Sequence, residues 1–450
     1  MLCMEQNVFD TDRLISTYFK LSLPVVFSMA VTLIYNLADT YFIAQTNNAS
    51  LVAGVSLCAP VFTILMAFGN IYGQGGSSLI SRLLGQNDSL SVKRVSAFCF
   101  YLSILTGIVL AIPMLLFRNP ILGVLGASPD TRSYACEYYT IIMIGAPLMI
   151  LSFIHTNLLR CEGQATMSMI GTVGGSVLNI ILDPIFISVL GWGASGAAIA
   201  TVLGYVFTDM LCLIIVLRRS RNLSVDFRNM RIAGDELWQI LSVGLTAAVT
   251  NLATSVSVIF MNQFLLPYGD EKIAALGIVL KVSMIAQLIL VGFSFGGVPL
   301  FGYLYGAKNI QKLKRLLRFC TLFLCAIALA ATLIIFLFAP QLMGTFMQDA
   351  SIVESGTPML RWQMLGTCFA AVVLLYTCLF QATGRAIPAL ALSLSRQGVV
   401  FLLVLAVSVW LAGYNGFLAS QAVADLLSAV LALALYIKSF GGPKKKTADP

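Results

Sequence analysis

The chain has 450 residues, of which 59% are hydrophobic and only 10% charged, with a net charge of +8 and a mean hydropathy of +0.92. Soluble domains carry about 25% charged residues, so this balance excludes a water-facing globular surface. With most positive charge in short segments between apolar runs, the excess reads as loop topology rather than nucleic-acid binding.

In chain order, apolar segments long enough to cross a bilayer, which needs roughly 20 residues, are expected at about 17–44, 51–81, 95–117, 134–158, 164–190, 194–217, 237–266, 272–300, 316–338, 357–380, 386–411 and 415–437. Residues 1–217 form a first six-helix lobe, 218–236 a basic linker, 237–438 a second six-helix lobe and 439–450 a tail. No basic stretch followed by a short apolar region and a small-residue cleavage site opens the chain, so the first span is expected to stay in the mature protein. Sorting the loops by alternate sides places about 21 of the 27 Lys and Arg on one side, including five linker arginines and Lys444 to Lys446. The positive-inside rule then puts both termini in the cytoplasm.

The two halves superpose with a constant shift, since 306 − 85 = 221 pairs Gly85 with Gly306. The same shift pairs Gly75 with Gly296, Lys93 with Lys314, Gly145 with Gly366, Gly163 with Gly384 and Ala165 with Ala386. A duplication of a six-span unit makes both copies enter from the same side, so the repeats are parallel. The expected fold class is an all-α polytopic membrane protein of about twelve transmembrane helices in two parallel repeats.

Ionisable residues inside spans carry the information, because a charge at a helix centre costs roughly 2.5 to 3.5 kcal/mol on insertion scales. Asp39, Asp183, Asp209, Asp425, Lys281, Arg396 and the single histidine, His155, qualify. Asn179 and Asp183 are four apart and share a helix face. Pro184 lacks an N–H and frees the carbonyl of Ile180. A carboxylate, an amide oxygen and a spare carbonyl suit a hard cation or a proton, with Thr201 available for a hydroxyl and Asp39 for a second carboxylate. The shift of 221 carries Asp183 to Val404 and Asn179 to Val400, so the coupling chemistry is expected in the first half alone. Pro24, in the first span, is either a static kink or a hinge. His155 reads better as an interhelical hydrogen-bond partner than as a catalyst or metal ligand. For Asp209, Asp425, Lys281 and Arg396 a plain structural contact weighs as much as a functional role.

Gly292-Phe-Ser-Phe-Gly296 has the spacing of a hydrolase elbow, yet it lies inside a span and lacks the strand and turn that the elbow requires. Zinc and phosphate-loop motifs are absent from the sequence. The chain therefore reads as a transporter and not an enzyme, with no cofactor beyond a coupling H⁺ or Na⁺. Cysteines fall mostly within apolar runs, so no disulfide framework is expected.

With six plus six helices, the paired Gly163-Gln-Ala165 and Gly384-Arg-Ala386 turns, Asp39-Thr40 and the Asn179 to Asp183-Pro184 run, the chain resembles the MATE family of multidrug and toxic compound extrusion transporters, in its DinF-like and MepA-like prokaryotic branch. The resemblance implies a cation or proton site at Asp39, Asn179, Asp183, Ala197 (through its backbone) and Thr201, with Pro24 as the bend. A tyrosine near the first-half cavity corresponds to Tyr138 or Tyr139, and Asn36, Tyr139 and His155 are carried as cavity candidates. The implied activity is multidrug efflux of amphipathic, often cationic, compounds in exchange for H⁺ or Na⁺, by a monomer in the cytoplasmic membrane with small organic molecules and lipids as its only partners. The alternative is a flippase for a lipid-linked oligosaccharide or cell-wall precursor, which needs cavity-facing basic groups and finds only Lys281 and Arg396.

Overall fold

A computed structural model describes residues 9–346 and 349–440. The basic tail at Lys444 to Lys446 lies outside the described residues. Sixteen α-helices follow one another among them: α1 (Leu14–Ala44), α2 (Ala49–Ser56), α3 (Ala59–Gly85), α4 (Ser89–Leu116), α5 (Arg118–Val124), α6 (Pro129–Cys161), α7 (Ala165–Asp183), α8 (Gly193–Arg219), α9 (Gly234–Leu265), α10 (Asp270–Gly306), α11 (Ile310–Leu337), α12 (Ala339–Phe346), α13 (Ala350–Leu365), α14 (Thr367–Ala382), α15 (Ala386–Gln397) and α16 (Val399–Phe440).

Polar side chains start several of these helices by accepting the first free backbone N–H groups. Asn48 accepts from Leu51 and Asp88 from Ser91, while Ser128 and Thr131 form a reciprocal capping box at the head of α6. In a bilayer every other backbone group must be satisfied within the segment, which long helices do by construction.

Among the described residues, ten helices or continuous helix pairs are long and apolar enough to cross a membrane, and the bent pair α13–α14 makes an eleventh. One of the ten, Ala386–Phe440, has 55 residues, about 80 Å at 1.5 Å per residue and far beyond a bilayer of about 30 Å. Gly413 breaks it, with φ 55° and ψ −130°, a conformation that only glycine adopts without strain. Arg396 Nε lies 3.0 Å from Asp425 Oδ1 and Ser395 Oγ 2.7 Å from Ser428 Oγ. Residues 29 and 33 apart meet in this way only if the chain turns back on itself. Counting that hairpin as two crossings gives the twelve expected. The second expected span differs locally, since α2 and α3 are separate helices either side of Leu57 and Cys58.

The chain divides into two compact units. Of the described residues, the first holds those up to Ala248, Phe295–Leu313 and Gln381–Gly384; the second holds Val249–Ser294, those between Lys314 and Phe380, and those from Arg385 on. In the first unit α6 is central, packing on α2, α3, α4, α7 and α8. Its core includes Leu122, Tyr139, Ile142, Met143, Met149 and Ile150. The second has its own core, with Leu265, Met343, Leu360, Phe401 and Leu405. Large apolar side chains such as Leu116, Val124, Ile387 and Trp410 are 75–90% exposed, which water would not tolerate over such an area and lipid does.

The stretch after α8 is tied to the first unit. Glu162 Oε1 accepts the N–H groups of Arg221 and Asn222 at 3.0 and 2.8 Å, and Tyr101 donates its hydroxyl to the Val225 carbonyl at 2.8 Å.

Candidate functional site

The α7 and α8 helices cross closely because glycines face each other. At Gly175 a Cβ would fall on the Gly204 carbonyl and the Thr208 hydroxyl, and at Gly204 it would lie 2.9 Å from the Gly175 carbonyl. Such contact lets backbones approach as only small residues permit. One turn beyond Gly175 stands Asn179, then Asp183, both on the face turned toward α8.

Asp183 is fully buried and Asn179 is 2% exposed. The Asn179 amide is consistent with its neighbours when its nitrogen faces Asp183. It then donates to Oδ2 at 3.0 Å, and its oxygen accepts the Thr201 N–H at 3.1 Å. In a regular helix that N–H serves the carbonyl of Ala197, so sharing it leaves the buried Ala197 oxygen with spare acceptor capacity. The Thr201 hydroxyl was the expected contributor; what reaches Asn179 is the Thr201 backbone. Beyond Asp183 the chain continues as one π-helical turn, Pro184–Val189. Proline closes the α-helical ladder there, and such turns recur at functional positions.

Asp39 approaches from α1. Its Oδ1 is buried without a hydrogen-bond partner, and its charge reaches Asp183, Tyr35 and Tyr138. A cavity of about 60 Å³ adjoins the cluster, lined among others by Tyr35, Asn179, Thr201, Tyr205 and Thr208. That volume holds several waters or one partly hydrated ion. The five residues expected to form a coupling site are thus gathered by α1, α7 and α8 within the first unit. Pro24 sits inside α1, fifteen residues before Asp39, and its carbonyl accepts the Ser28 hydroxyl at 2.8 Å.

The cavity candidates fare differently. Tyr139 is fully buried in the core, gives its hydroxyl to the Met114 carbonyl at 2.8 Å and is outside the lining of this cavity; Tyr138 is the one that the Asp39 and Asp183 charges reach. Asn36 is exposed on α1 and lies outside the lining of this cavity. His155 is likewise outside the lining and sits against Asp209 instead, Nδ1 to Oδ1 3.3 Å. Tyr35 and Tyr205 were missed, although Tyr35 is four residues before Asp39 and Tyr205 four after Thr201, the spacing that shares a helix face. In the second unit the half-buried Arg396 and the buried Asp425 form an ion pair supported by Gln421 at 3.2 Å, while Lys281 is exposed.

The family sequence model MatE matches residues 24–185 and again 246–407. The chain belongs to the MatE family. The two MatE matches are offset by 246 − 24 = 222 residues, one from the 221 shift read directly from the glycines and loop charges. Among curated MatE relatives, the multidrug export protein MepA of Staphylococcus saprophyticus is 30% identical over 95% of this chain and 94% of its own length, and that of Staphylococcus aureus strain MRSA252 matches to the same extent. Among solved structures, an outward-facing multidrug resistance MATE family transporter of the MOP superfamily superposes with a TM-score of 0.91 at 26% identity, covering 98% of this chain and 99% of that one. A MOP superfamily transporter from Pyrococcus furiosus, described as having a binding pocket of reversed polarity that suggests a different function, superposes with a TM-score of 0.90 at 26% identity over 97% and 99%. This MatE chain is therefore a multi-pass membrane transporter of the MOP type.

Proposed function

We propose that this transporter is a secondary antiporter of the cytoplasmic membrane, exporting amphipathic and cationic organic compounds in exchange for H⁺ or Na⁺. The observation that carries the reading is a fully buried Asp183 with Asn179, the Thr201 and Ala197 backbones and Asp39 around it, beside a cavity. A buried carboxylate without a cationic partner is costly. A proton or a sodium ion removes that cost, so occupancy stabilises one conformation over another.

Exchange follows if the ion and the organic compound stabilise opposite members of an inward-open and outward-open pair. Pro24 supplies α1 with a weak point at which Asp39 occupancy changes its course. The MepA relatives, named as multidrug exporters, support the substrate class. The protein works as a monomer without a cofactor, with both termini in the cytoplasm. The flippase alternative loses support because one of its two basic groups, Arg396, is neutralised by Asp425.

Proteoliposomes containing the wild type or Asp183→Asn, loaded with a cationic dye under a proton gradient and separately a sodium gradient, test this. Dye movement on one gradient, abolished by the substitution, identifies the ion and the site. Movement on neither gradient overturns the antiport reading, and equal movement by the variant overturns the site.

A further inference from the structure

Beyond the coupling cluster, the first unit buries a second acid–base pair. His155 on α6 is 3% exposed and Asp209 on α8 is 6% exposed. Their facing atoms, Nδ1 and Oδ1, are 3.3 Å apart, while His155 Nε2 and Asp209 Oδ2 are buried without hydrogen-bond partners. A fixed structural contact between two buried polar groups ordinarily satisfies its remaining donors and acceptors. With an ionised Asp209 holding the proton on Nδ1, Nε2 is left as an open base, and a proton taken there makes an imidazolium whose charge Asp209 balances.

The pair is not isolated from the coupling cluster. Along α8, Ala197, Thr201, Tyr205 and Asp209 recur every four residues, and Thr201 to Asp209 spans about 12 Å. Between them, the cavity is lined by Tyr205, by Thr208 next to Asp209, and by Ser152 one turn before His155. Tyr205 feels the Asp209 charge from one end, and Tyr35 feels Tyr205 and Asp39 from the other. Groups with titratable or charged character near the pair are Tyr205 and Cys212 on α8 and Arg160 on α6, which acts on Cys212. From α4 the pair meets the Phe100 ring, 5.3 Å from the imidazole, and from α7 Gly171 packs on Thr208 and Cys212, the α8 residues that flank Asp209.

We propose that His155 and Asp209 form a second protonation site of the first unit, which exchanges protons with Asp39 and Asp183 through the Tyr205-lined cavity. The pair stands two turns from the α6 terminus that carries Arg160, so it lies between the carboxylates and that end of the helix. It rests on the antiport reading only in its purpose, since protonation is measurable without transport.

His155 is the single histidine of the chain, so protein labelled with ¹⁵N-histidine in nanodiscs reports one imidazole. Ring-nitrogen signals recorded from pH 5 to 9 are expected to change with pH in the wild type and to follow a displaced curve in Asp209→Asn. The midpoint should also move downward in Asp183→Asn, as the loss of a negative charge acting across the cavity requires. Asp39→Asn serves as a second carboxylate variant should Asp183→Asn fail to fold. A ring that keeps one protonation state across the range, or a midpoint unmoved by both carboxylate variants, overturns the proposal. Dye transport by the same preparations separates the two readings: no transport with a coupled titration sinks antiport alone, and transport with an inert ring sinks the second site alone.

Discussion

Introducing a methyl group at the α7–α8 crossing tests the geometry on which the coupling cluster depends. Ordinary van der Waals contact begins near 3.4 Å, and a Cβ at residue 204 would meet the Gly175 carbonyl at 2.9 Å, so Gly204→Ala requires the helices to part by about 3.4 − 2.9 = 0.5 Å. Overpacking of that kind costs about 1–3 kcal/mol, against which a helical Gly→Ala exchange returns up to about 1 kcal/mol. The net loss is about 0–2 kcal/mol. Gly175→Ala is more severe, because its Cβ collides with the Gly204 carbonyl and the Thr208 hydroxyl, which itself donates to the carbonyls of Gly204 and Gly171 at 3.0 and 3.2 Å. A hydrogen bond worth about 1 kcal/mol is lost in addition, so the net loss reaches about 2–3 kcal/mol. At Gly171 the obstacle is the tip of Cys212, which can rotate away, and at Gly123 nothing lies within 4 Å. The order of destabilisation should be Gly175→Ala, Gly204→Ala, Gly171→Ala, with Gly123→Ala neutral or slightly stabilising. Equilibrium unfolding in mixed micelles measures the order, and dye efflux by the folded variants should fall with it as Asn179 is drawn from Thr201. A Gly175→Ala protein as stable and active as wild type would refute the close-crossing argument.

Other perturbations have equally definite outcomes. Arg396→Gln strands Asp425 in the second unit and should cost about 3–5 kcal/mol, whereas Arg396→Gln with Asp425→Asn recovers most of it, read by the same unfolding assay. Pro24→Ala restores a backbone hydrogen bond to the Lys20 carbonyl and should raise stability while slowing dye exchange; unchanged exchange would remove the hinge role. Asp88→Ala deletes the α4 cap at a cost of about 1 kcal/mol. The Asp88 carboxyl is held below the usual carboxylate range by hydrogen bonds from Ser91. Its contribution is therefore present above the usual carboxylate value of about 4 and lost as pH falls through the lowered one, so the protection of the first-turn amides of α4, taken relative to their intrinsic exchange rates at each pH, should fall on acidification in the wild type and show no such step in Asp88→Ala.

The spans and the duplication were legible in the sequence because both are written in local composition and in offsets along the chain. Asn179 and Asp183 were legible for the same reason: spacing of four fixes a shared face before any tertiary contact forms. What failed to show was pairing at a distance. Nothing in the sequence joins His155 to a residue 54 positions later, or tells Tyr138 from Tyr139, neighbours whose side chains leave the helix about 100° apart. The Thr201 N–H that reaches Asn179 was not foreseen beside the Thr201 hydroxyl, since backbone donors are invisible to residue identity. Gly413 was read only as the gap between two spans, and its turn rests on a backbone angle that the bare glycine permits without requiring.

The two copies of the repeat also differ in how they respond to a voltage. Arg396 and Asp425 make a pair of zero net charge, and a transmembrane field exerts no net force on it. The first unit carries carboxylates whose total charge changes with each proton or ion, and a full charge crossing the field is worth about 2.3 kcal/mol per 100 mV. Electrical work tied to proton or ion binding should therefore enter through the first half, while in the second the Arg396–Asp425 pair adds none and Lys281 carries a charge that binding does not change.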